Sequence, residues 1–504
     1  MKTYHTIKTL ALGGIAMFSL ASCSLDYEPL SEPSEITQGG QTETSTAVLK
    51  DKAAADAQLK SLYELFRNRQ EHTHLDYLLI GDSHSDNAYA GTTGAEVVPY
   101  ETNSIDASNS VLSRDWNRYL EDIAQANVLI NGVEQLKENG QISEAEYHSY
   151  KAQGEIFRAL MMFRMARLWG SFPVITTIAK TITSENINEV YPTYYPPRKT
   201  PKECYEQIIA DLTDAEQYAP DNDNSDRTKM TKTVAQAMLA KVYAEKEVQD
   251  YDKVIAYADK VMNTTGVELE DSYETLWGYD ETAIDCMKRN TKEGILEVHW
   301  SGGGNWETWM YGRQLDNWDY YFTWAKWITP SRDIINDFDK EGDEVRKNQA
   351  IVYYACTWSN YYPASNYPFM YKLRSSYNNI YWVRLADIIL MKAEAEAYKG
   401  NLAESAKLVN QIRKRAKLKD LTSDKTGSKE AMIEAVLHER RLELAFEGER
   451  WFDLCRNNKV EKYLNGIDSR DSGRIRQVKQ FDSNSYLLPI PQTALDQNTN
   501  LEQN

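Results

Sequence analysis

The stretch VRLADIILMKAEAEAYKGNLAESAKLVNQIRKRA, residues 383–416, decides what kind of fold this chain adopts. Ala386, Ile389, Ala393, Ala395 and Tyr398 precede the turn signal Gly400-Asn401, and Ala403, Ala406 and Ile412 follow it. Apolar residues at helical spacing on both sides of a two-residue breaker predict an antiparallel helix pair. Small side chains let the two backbones approach closely, and the Tyr398 ring fills the hole that remains.

The same layout occurs once more upstream. Ala235, Leu239, Ala240 and Tyr243 lead into a tight turn, after which Tyr251, Ile255, Ala256 and Ala258 continue the pattern. Two such pairs have the layout of tetratricopeptide-like hairpins, which act as scaffolding. Helical periodicity also marks Ala53–Arg67, Val111–Gln135, Ser143–Trp169, Pro201–Tyr218, Thr231–Glu247, Tyr251–Val261, Leu385–Tyr398, Leu402–Ala416 and Lys429–Phe446. In the last of these Gly448 stands where a C-cap glycine belongs. Strand signals are confined to Val174–Thr177, Ile295–Trp300 and Tyr486–Leu488. The expected fold class is therefore mostly α, with tetratricopeptide-like hairpins as scaffold, a loop-rich ligand-binding region and few short strands.

The amino terminus carries a different message. Lys2 and Lys8 precede an apolar run from Leu10 to Leu20, then Leu20-Ala21-Ser22-Cys23. A run this short, ending in small residues, reads as a secretory signal peptide at 1–22 and not as a permanent span. Cys23 after Leu-Ala-Ser resembles the lipobox of bacterial lipoproteins, which implies cleavage before Cys23 and acylation of that residue. Several acyl chains, at about 0.8 kcal/mol per buried CH₂, give stable anchoring. Residues 23–45, with Pro29, Pro33, Gly39 and Gly40, read as a lipidated cysteine on a flexible tether. Residues 46–504 lack any further linker rich in Pro, Gly or Ser and are expected to form a single domain.

Composition removes several classes of partner and chemistry. The formal net charge is -18, and losing Lys2 and Lys8 with the signal peptide takes it to -20. Such an acidic surface repels phosphates, so nucleic acid is not an expected partner. Cys204, Cys286, Cys356 and Cys455 show no CxxC spacing and read as small packed residues. The chain has no HExxH, GxSxG, P-loop or GxGxxG.

Two segments do not fit a scaffold. Tyrosine outnumbers phenylalanine 33 to 11, favouring rings that can stand at a wet surface. Trp300, Trp306, Trp309, Trp318, Trp324 and Trp327 crowd into residues 300–327 behind Gly302-Gly303-Gly304-Asn305, interleaved with Tyr311, Tyr320, Tyr321 and Phe322. They form either a satellite core beneath an insertion or a stacking platform for flat sugar faces or peptide side chains. The second segment, Asp76–Tyr100, packs Asp82, His84, Asp86, Asn87 and Tyr89 among glycines. His72, His74 and His84 match no zinc spacing, and calcium on Asp82, Asp86 and Asn87 is only slightly better supported, so a solvated polar loop is the expectation and no metal or cofactor is assigned.

Several motifs together resemble the SusD-like (RagB/SusD) outer-membrane lipoproteins of Bacteroidetes glycan uptake. They are the lipobox at Cys23, GDSHSDNAY at 81–89, FRALMMFRMARLWGSFPVIT from Phe157, the segment from Thr200 to Ala215, VRLADIILMKAEAEAYKG from Val383, ERRLELAFEGERWFDLCR at 439–456 and LLPIP from Leu487. The 439–456 match is the strongest. Its Glu439, Glu443 and Glu447 repel one another unless balanced by Arg440, Arg441 and Arg450, which reads as a clamp on the last helices and not as a catalytic site.

The resemblance implies a non-enzymatic binding protein on the outer membrane, facing the cell exterior. It would capture oligosaccharide or polysaccharide and deliver it to a SusC-like TonB-dependent transporter. Local chemistry nominates Asp86, Asn87, Tyr89, Asn305, Trp306, Trp309, Tyr311, Trp318 and Arg374 as ligand contacts, with weak, micromolar-to-millimolar binding. A peptide-binding uptake lipoprotein of the same fold and a surface glycoside hydrolase are the alternatives.

Overall fold

A computed structural model describes residues 49–91, 94–301 and 327–504. The expected signal peptide, Cys23 and the tether lie outside the described residues, as does most of the aromatic insertion. Every segment read as helical from its periodicity is a helix. They are Lys52–Asn68, Ser110–Glu138, Glu144–Trp169, Pro201–Tyr218, Lys232–Ala244, Tyr251–Met262, Leu385–Lys399, Leu402–Arg415 and Lys429–Glu443.

Local chemistry fixes their ends. Ser143 and Glu146 form a reciprocal capping box at the start of Glu144–Trp169, and Thr200 and Glu203 do the same before Pro201. Gly400, at φ +86°, closes Leu385–Lys399 by donating to the carbonyls of Ala397 and Glu396. The two long helices Ser110–Glu138 and Glu144–Trp169 pack together, and Pro201–Tyr218 lies against the second. From Ala152 onward Glu144–Trp169 is buried on every side, the mark of a central helix. Leu385–Lys399 packs on Leu402–Arg415, Tyr251–Met262 and Lys429–Glu443 at once, so the two hairpins share a core. One contiguous apolar cluster extends from Leu49 to Leu501.

The sheets are small. Four antiparallel two-stranded pairs are present among the described residues: Ala88–Tyr89 with Thr329–Pro330, Tyr279–Asp280 with Asp285–Cys286, Gly294–His299 with Asn379–Arg384, and Ile351–Tyr354 with Tyr367–Met370. Ile295–Trp300 is thus a strand as expected, within one residue at each end. The other two strand expectations fail. Val174–Thr177 has no ladder because Asn127 and Asn131 donate to the carbonyls of Ile175 and Thr176 instead. Tyr486 closes a 3-10 turn, Ser483–Tyr486, and the Leu488 N–H donates to Leu168 O.

The expected solvated loop at Asp76–Tyr100 is also overturned, because its polar residues are interior. Glu71–Leu75 and Leu79–Ser83 are π-helical turns, and Asp82, Ser83, Asp86 and Asn87 have no more than 1% exposure. The Asp82 carboxylate accepts the N–H groups of Phe446 and Gly448 at 3.1 and 2.9 Å and the Asn87 amide at 2.9 Å. That capture explains why Lys429–Glu443 stops short of Phe446: the backbone turns away through Phe446 at φ +61° and Gly448 at φ +80° to reach Asp82. Gly448 therefore serves this turn and is not the helix C-cap. Gly81 lies so close to it that an added Cβ would overlap the Gly448 carbonyl.

The clamp expected at 439–456 is present, with a different division of partners. Glu439 is bonded by Arg346 and Arg413, at 2.7 and 3.0 Å. Glu443 is shared among Arg346, Arg384 and Arg415, and Glu447 by Arg384 and Lys372. Arg440 turns instead to Asp387 and Asp453, while Arg441 and Arg450 reach Asp86. Burial pushes the Glu443 carboxyl up, and the guanidiniums of Arg415, Arg384 and Arg346 more than reverse that, holding it well below the usual carboxylate range.

Two stability measurements test this description. Glu443→Gln leaves buried guanidiniums uncompensated and is expected to lower unfolding free energy by about 3–5 kcal/mol at pH 7 in urea titrations. Because the folded state holds Glu443 ionised to lower pH than the unfolded chain does, the difference from wild type should shrink below about pH 4.3. A difference that stays constant with pH contradicts the assigned charge. Gly81→Ala forces a methyl into the Gly448 backbone and should cost about 1–3 kcal/mol, read as a lowered melting temperature.

Candidate functional site: a face where three loops meet

The antiparallel pair Ala88–Tyr89 with Thr329–Pro330 brings the stems of two distant loops side by side. One is the turn that follows Tyr89. The other is the aromatic insertion, which leaves the strand Gly294–His299 and returns at Thr329. A third arrives from the hairpin Ile351–Tyr354/Tyr367–Met370, whose connection reads ACTWSNYYPASN at 355–366. Asn360 ties it in: its amide donates to Gly91 O at 2.5 Å and its carbonyl accepts from the Tyr367 hydroxyl at 2.6 Å. The Tyr367 and Thr329 hydroxyls pair at 2.9 Å, joining the hairpin to the insertion's return.

Aromatic rings fill the junction. Tyr89 stacks on Tyr361 with centroids 4.3 Å apart, and Trp358 meets Tyr367 edge-on at 4.4 Å. The Arg332 guanidinium lies 4.2 Å from the Tyr362 ring centroid, and Tyr362 donates to Pro330 O at 2.8 Å. Thr357, Ser359, Asn360 and Asn366 are exposed, and Trp358 and Tyr362 are half-buried. Such a mixture of ring edges, amides and hydroxyls on a supported loop can stack on a flat apolar ligand face and orient its hydroxyls.

The nominated contacts divide sharply. Asn305, Trp306, Trp309, Tyr311 and Trp318 lie outside the described residues. Asp86, Asn87, Tyr89 and Arg374 are corrected: all four are buried, and their polar groups are used by the protein itself. Arg450 grips Asp86 through two bonds of 2.8 and 2.9 Å. Burial pushes that carboxyl up, and Arg441 and Arg450 overcome this to keep it far below the usual range. Asn87 accepts from Arg441 at 3.0 Å. Tyr89 donates to Asp471 at 2.6 Å and accepts from the Arg332 backbone at 3.0 Å. Arg374 donates to Gln349 and to Tyr371 O, and burial lowers its pKa to about 10. Asp86, Asn87 and Tyr89 are the frame beneath the junction, whereas Arg374 lies at the other end of the hairpin, beside the Ile351–Met370 pair.

The metal alternatives meet similar geometry. His72 pairs with Asp122, His74 with Phe66 O, and His84 with Tyr100 O, so the three imidazoles have separate partners. The carboxylates of Asp82 and Asp86 are already engaged by backbone N–H groups and by Arg450. Among the described residues no group of three or more His, Cys, Asp or Glu could hold a metal ion. The hairpin residues Trp358, Asn360, Tyr361 and Tyr362 were not among the sequence candidates. Their signal is visible in YYACTWSNYYPASNYPF, an aromatic-rich run interrupted by Pro, Ser and Asn, which marks a hairpin with a long tip.

Comparison with known proteins places this geometry in a family. Residues 274–504 match the family model described as "SusD family", and residues 41–244 match one described as "Starch-binding associating with outer membrane". SusD-like protein P2 of Formosa agariphila is 27% identical over 436 residues, covering 79% of this chain and 80% of its own. A SusD-like protein of Bacteroides ovatus is 24% identical over 420 residues, covering 74% and 70%. Among solved structures, a SusD superfamily protein from Bacteroides vulgatus shares the fold with a TM-score of 0.73 at 20% identity, over 90% of this chain and 99% of the other. A laminarin-binding SusD-like protein does so at 0.69 and 22%, with the same coverage. No helix among the described residues is long and apolar enough to cross a membrane. With two matched models spanning most of its length and a shared helical architecture, the chain belongs to the SusD-like (RagB/SusD) family.

Proposed function

We propose that this protein is a glycan-binding lipoprotein of the outer membrane, anchored through Cys23 and facing the cell exterior. It captures oligosaccharide or polysaccharide without cleaving it and passes the ligand to a SusC-like TonB-dependent transporter. The observation that carries the reading is the three-loop junction, where Trp358, Asn360 and Tyr362 flank the return of a tryptophan-rich insertion. On this reading Trp306, Trp309 and Trp318 supply stacking rings, and Tyr311 and Asn305 of the same segment supply polar contacts. The matched description "Starch-binding associating with outer membrane" and a laminarin-binding relative of the same fold support both the ligand class and the location. Each hydrogen bond in a wet groove contributes about 0.5–1.5 kcal/mol, so affinity is modest and depends on several rings acting together.

Affinity gels against a polysaccharide panel that includes laminarin test this directly. Retardation by at least one glycan is expected, with loss in Trp306→Ala and in Trp309→Ala and no release of reducing sugar from any member. Unaltered retardation in both variants would place the site elsewhere, and calorimetric heat with oligopeptides alone would replace glycan by peptide. Asn360→Ala removes the bond to Gly91 and should speed hydrogen exchange at residues 355–366. It should also weaken glycan retention several-fold, as expected for about 1 kcal/mol of lost positioning.

A further inference from the structure

A second feature, separate from the loop junction, is a crevice of about 50 Å³ between the π-helical turn and the strand Asn379–Arg384. It is lined by His74, Tyr77, Arg164, Trp277, Lys372 and Trp382, with Glu447 at its edge. Its volume suits roughly three or four waters, or one small oxyanion. Its walls are rich in donors. Arg164 is 8% exposed, lies 4.0 Å from the Tyr77 ring centroid and 3.6 Å from that of Trp382, and donates to Thr73 O. No carboxylate of the described residues forms an ion pair with it. Lys372 is 2% exposed and lies 4.7 Å from the Trp277 ring centroid. The indole N–H groups of Trp277 and Trp382, in side chains more than nine-tenths buried, find no acceptor.

A buried cation without a counter-ion and buried N–H groups without acceptors are each unfavourable alone. Here the residues that carry them line one crevice. The acceptors nearby are committed: Glu447 bonds Arg384 through both oxygens at 2.7 Å and Lys372 at 2.6 Å, and the Tyr381 hydroxyl donates to Leu276 O. His74 sits beside Arg164, and burial, reinforced by the Arg164 charge, lowers its pKa to about 3, so it adds no second cation at neutral pH. Leu78, Ile380, Tyr381 and Glu447 are half-buried and form the mouth.

We infer that this crevice binds a small oxyanion, a carboxylate or an anion of similar size, between the Arg164 guanidinium, the Lys372 ammonium and the two indole N–H groups. The anion is either free in solution or the carboxylate of an acidic sugar. Charge-assisted bonds from Arg and Lys supply the affinity, and the indoles restrict size. The site stands independently of the glycan reading, since none of its residues belongs to the loop junction.

Calorimetry on the whole protein at constant ionic strength, with sodium acetate, sulfate, glucuronate and glucose, tests the assignment. Saturable binding of acetate or sulfate identifies a free-anion site. Binding of glucuronate with neither small anion identifies a sugar carboxylate, and glucose should give none. Trp277→Phe keeps an aromatic ring and removes one donor, and should weaken the bound anion about tenfold. Crystals of the wild-type protein soaked in bromide provide a measurement that needs no variant, with an anomalous peak expected beside Arg164 and Lys372. No saturable binding of any of these anions, or an unchanged affinity in Trp277→Phe, overturns the proposal, and so does a bromide map without that peak where acetate or sulfate binds.

Discussion

Glu443 has no exposed surface, yet it carries a charge that three guanidiniums share. Arg384 meets one of its oxygens at 2.6 Å, Arg346 the other at 3.2 Å, and Arg415 closes the set. These arginines come from a strand end, a short helix and the tail of the second hairpin, so one carboxylate fixes three elements that apolar packing alone would leave free to slide. Arg384 and Arg415 also share Glu293, which brings in the strand Gly294–His299. Desolvating so many charges is expensive, and such pairs add little net stability over a hydrophobic replacement. Their effect is geometric: every arrangement but one strands a charge in the interior.

The same device joins the two ends of the described chain. Asp82 and Asp86 belong to the early part of the sequence, while their partners Phe446, Gly448 and Arg450 lie more than 360 residues later. Ser331 donates to Asp86 O at 2.7 Å and its own N–H reaches Asn87 O at 3.0 Å, so the segment that follows the insertion is held to the same point. Two of the junction's stems, Ala88–Tyr89 and Thr329–Pro330, therefore spring from one buried knot, and the Tyr367–Thr329 hydroxyl pair ties the third loop to them. Preorganised stems of this kind limit the ordering entropy that ligand binding must overcome, which matters most where each contact is weak.

How much of this was readable in the sequence depended on the range of the interaction involved. Helices with amphipathic periodicity and local caps, such as Pro201–Tyr218 behind Thr200 and Glu203, were legible because their determinants lie within a few residues of one another. The short strands were not: Thr329–Pro330 and Tyr367–Met370 each contain a proline, and each exists only because a distant partner pairs with it. The site failed to be legible for the same reason. Asp86, Asn87 and Tyr89 look like ligand contacts when polar residues among glycines are assumed to face water, and only arginines hundreds of residues away draw them inside. The run at 353–369 shows that a hairpin with a long tip is present, and only the distant partners Gly91 and Thr329 show where that tip sits.

The distribution of arginine partners separates structure from function more cleanly than composition does. In the motif at 439–456 the density of acids and arginines suggests chemistry, yet Arg440, Arg441, Arg450 and Arg456 all end on carboxylates of the protein. A guanidinium so matched has its charge balanced inside the protein. Arg164 comes from the equally arginine-rich run FRALMMFRMARLW, between Arg158, which is paired with Asp211, and Arg167, which is paired with Glu245 and Glu449. It faces two aromatic rings and a carbonyl instead. Within one helix, then, the outer two arginines are consumed by the scaffold and the middle one keeps its charge uncompensated. Arg374 also lacks a carboxylate, but its guanidinium is engaged by Gln349 and Tyr371 O; what distinguishes Arg164 is that it lines a crevice together with indole N–H groups that have no acceptor.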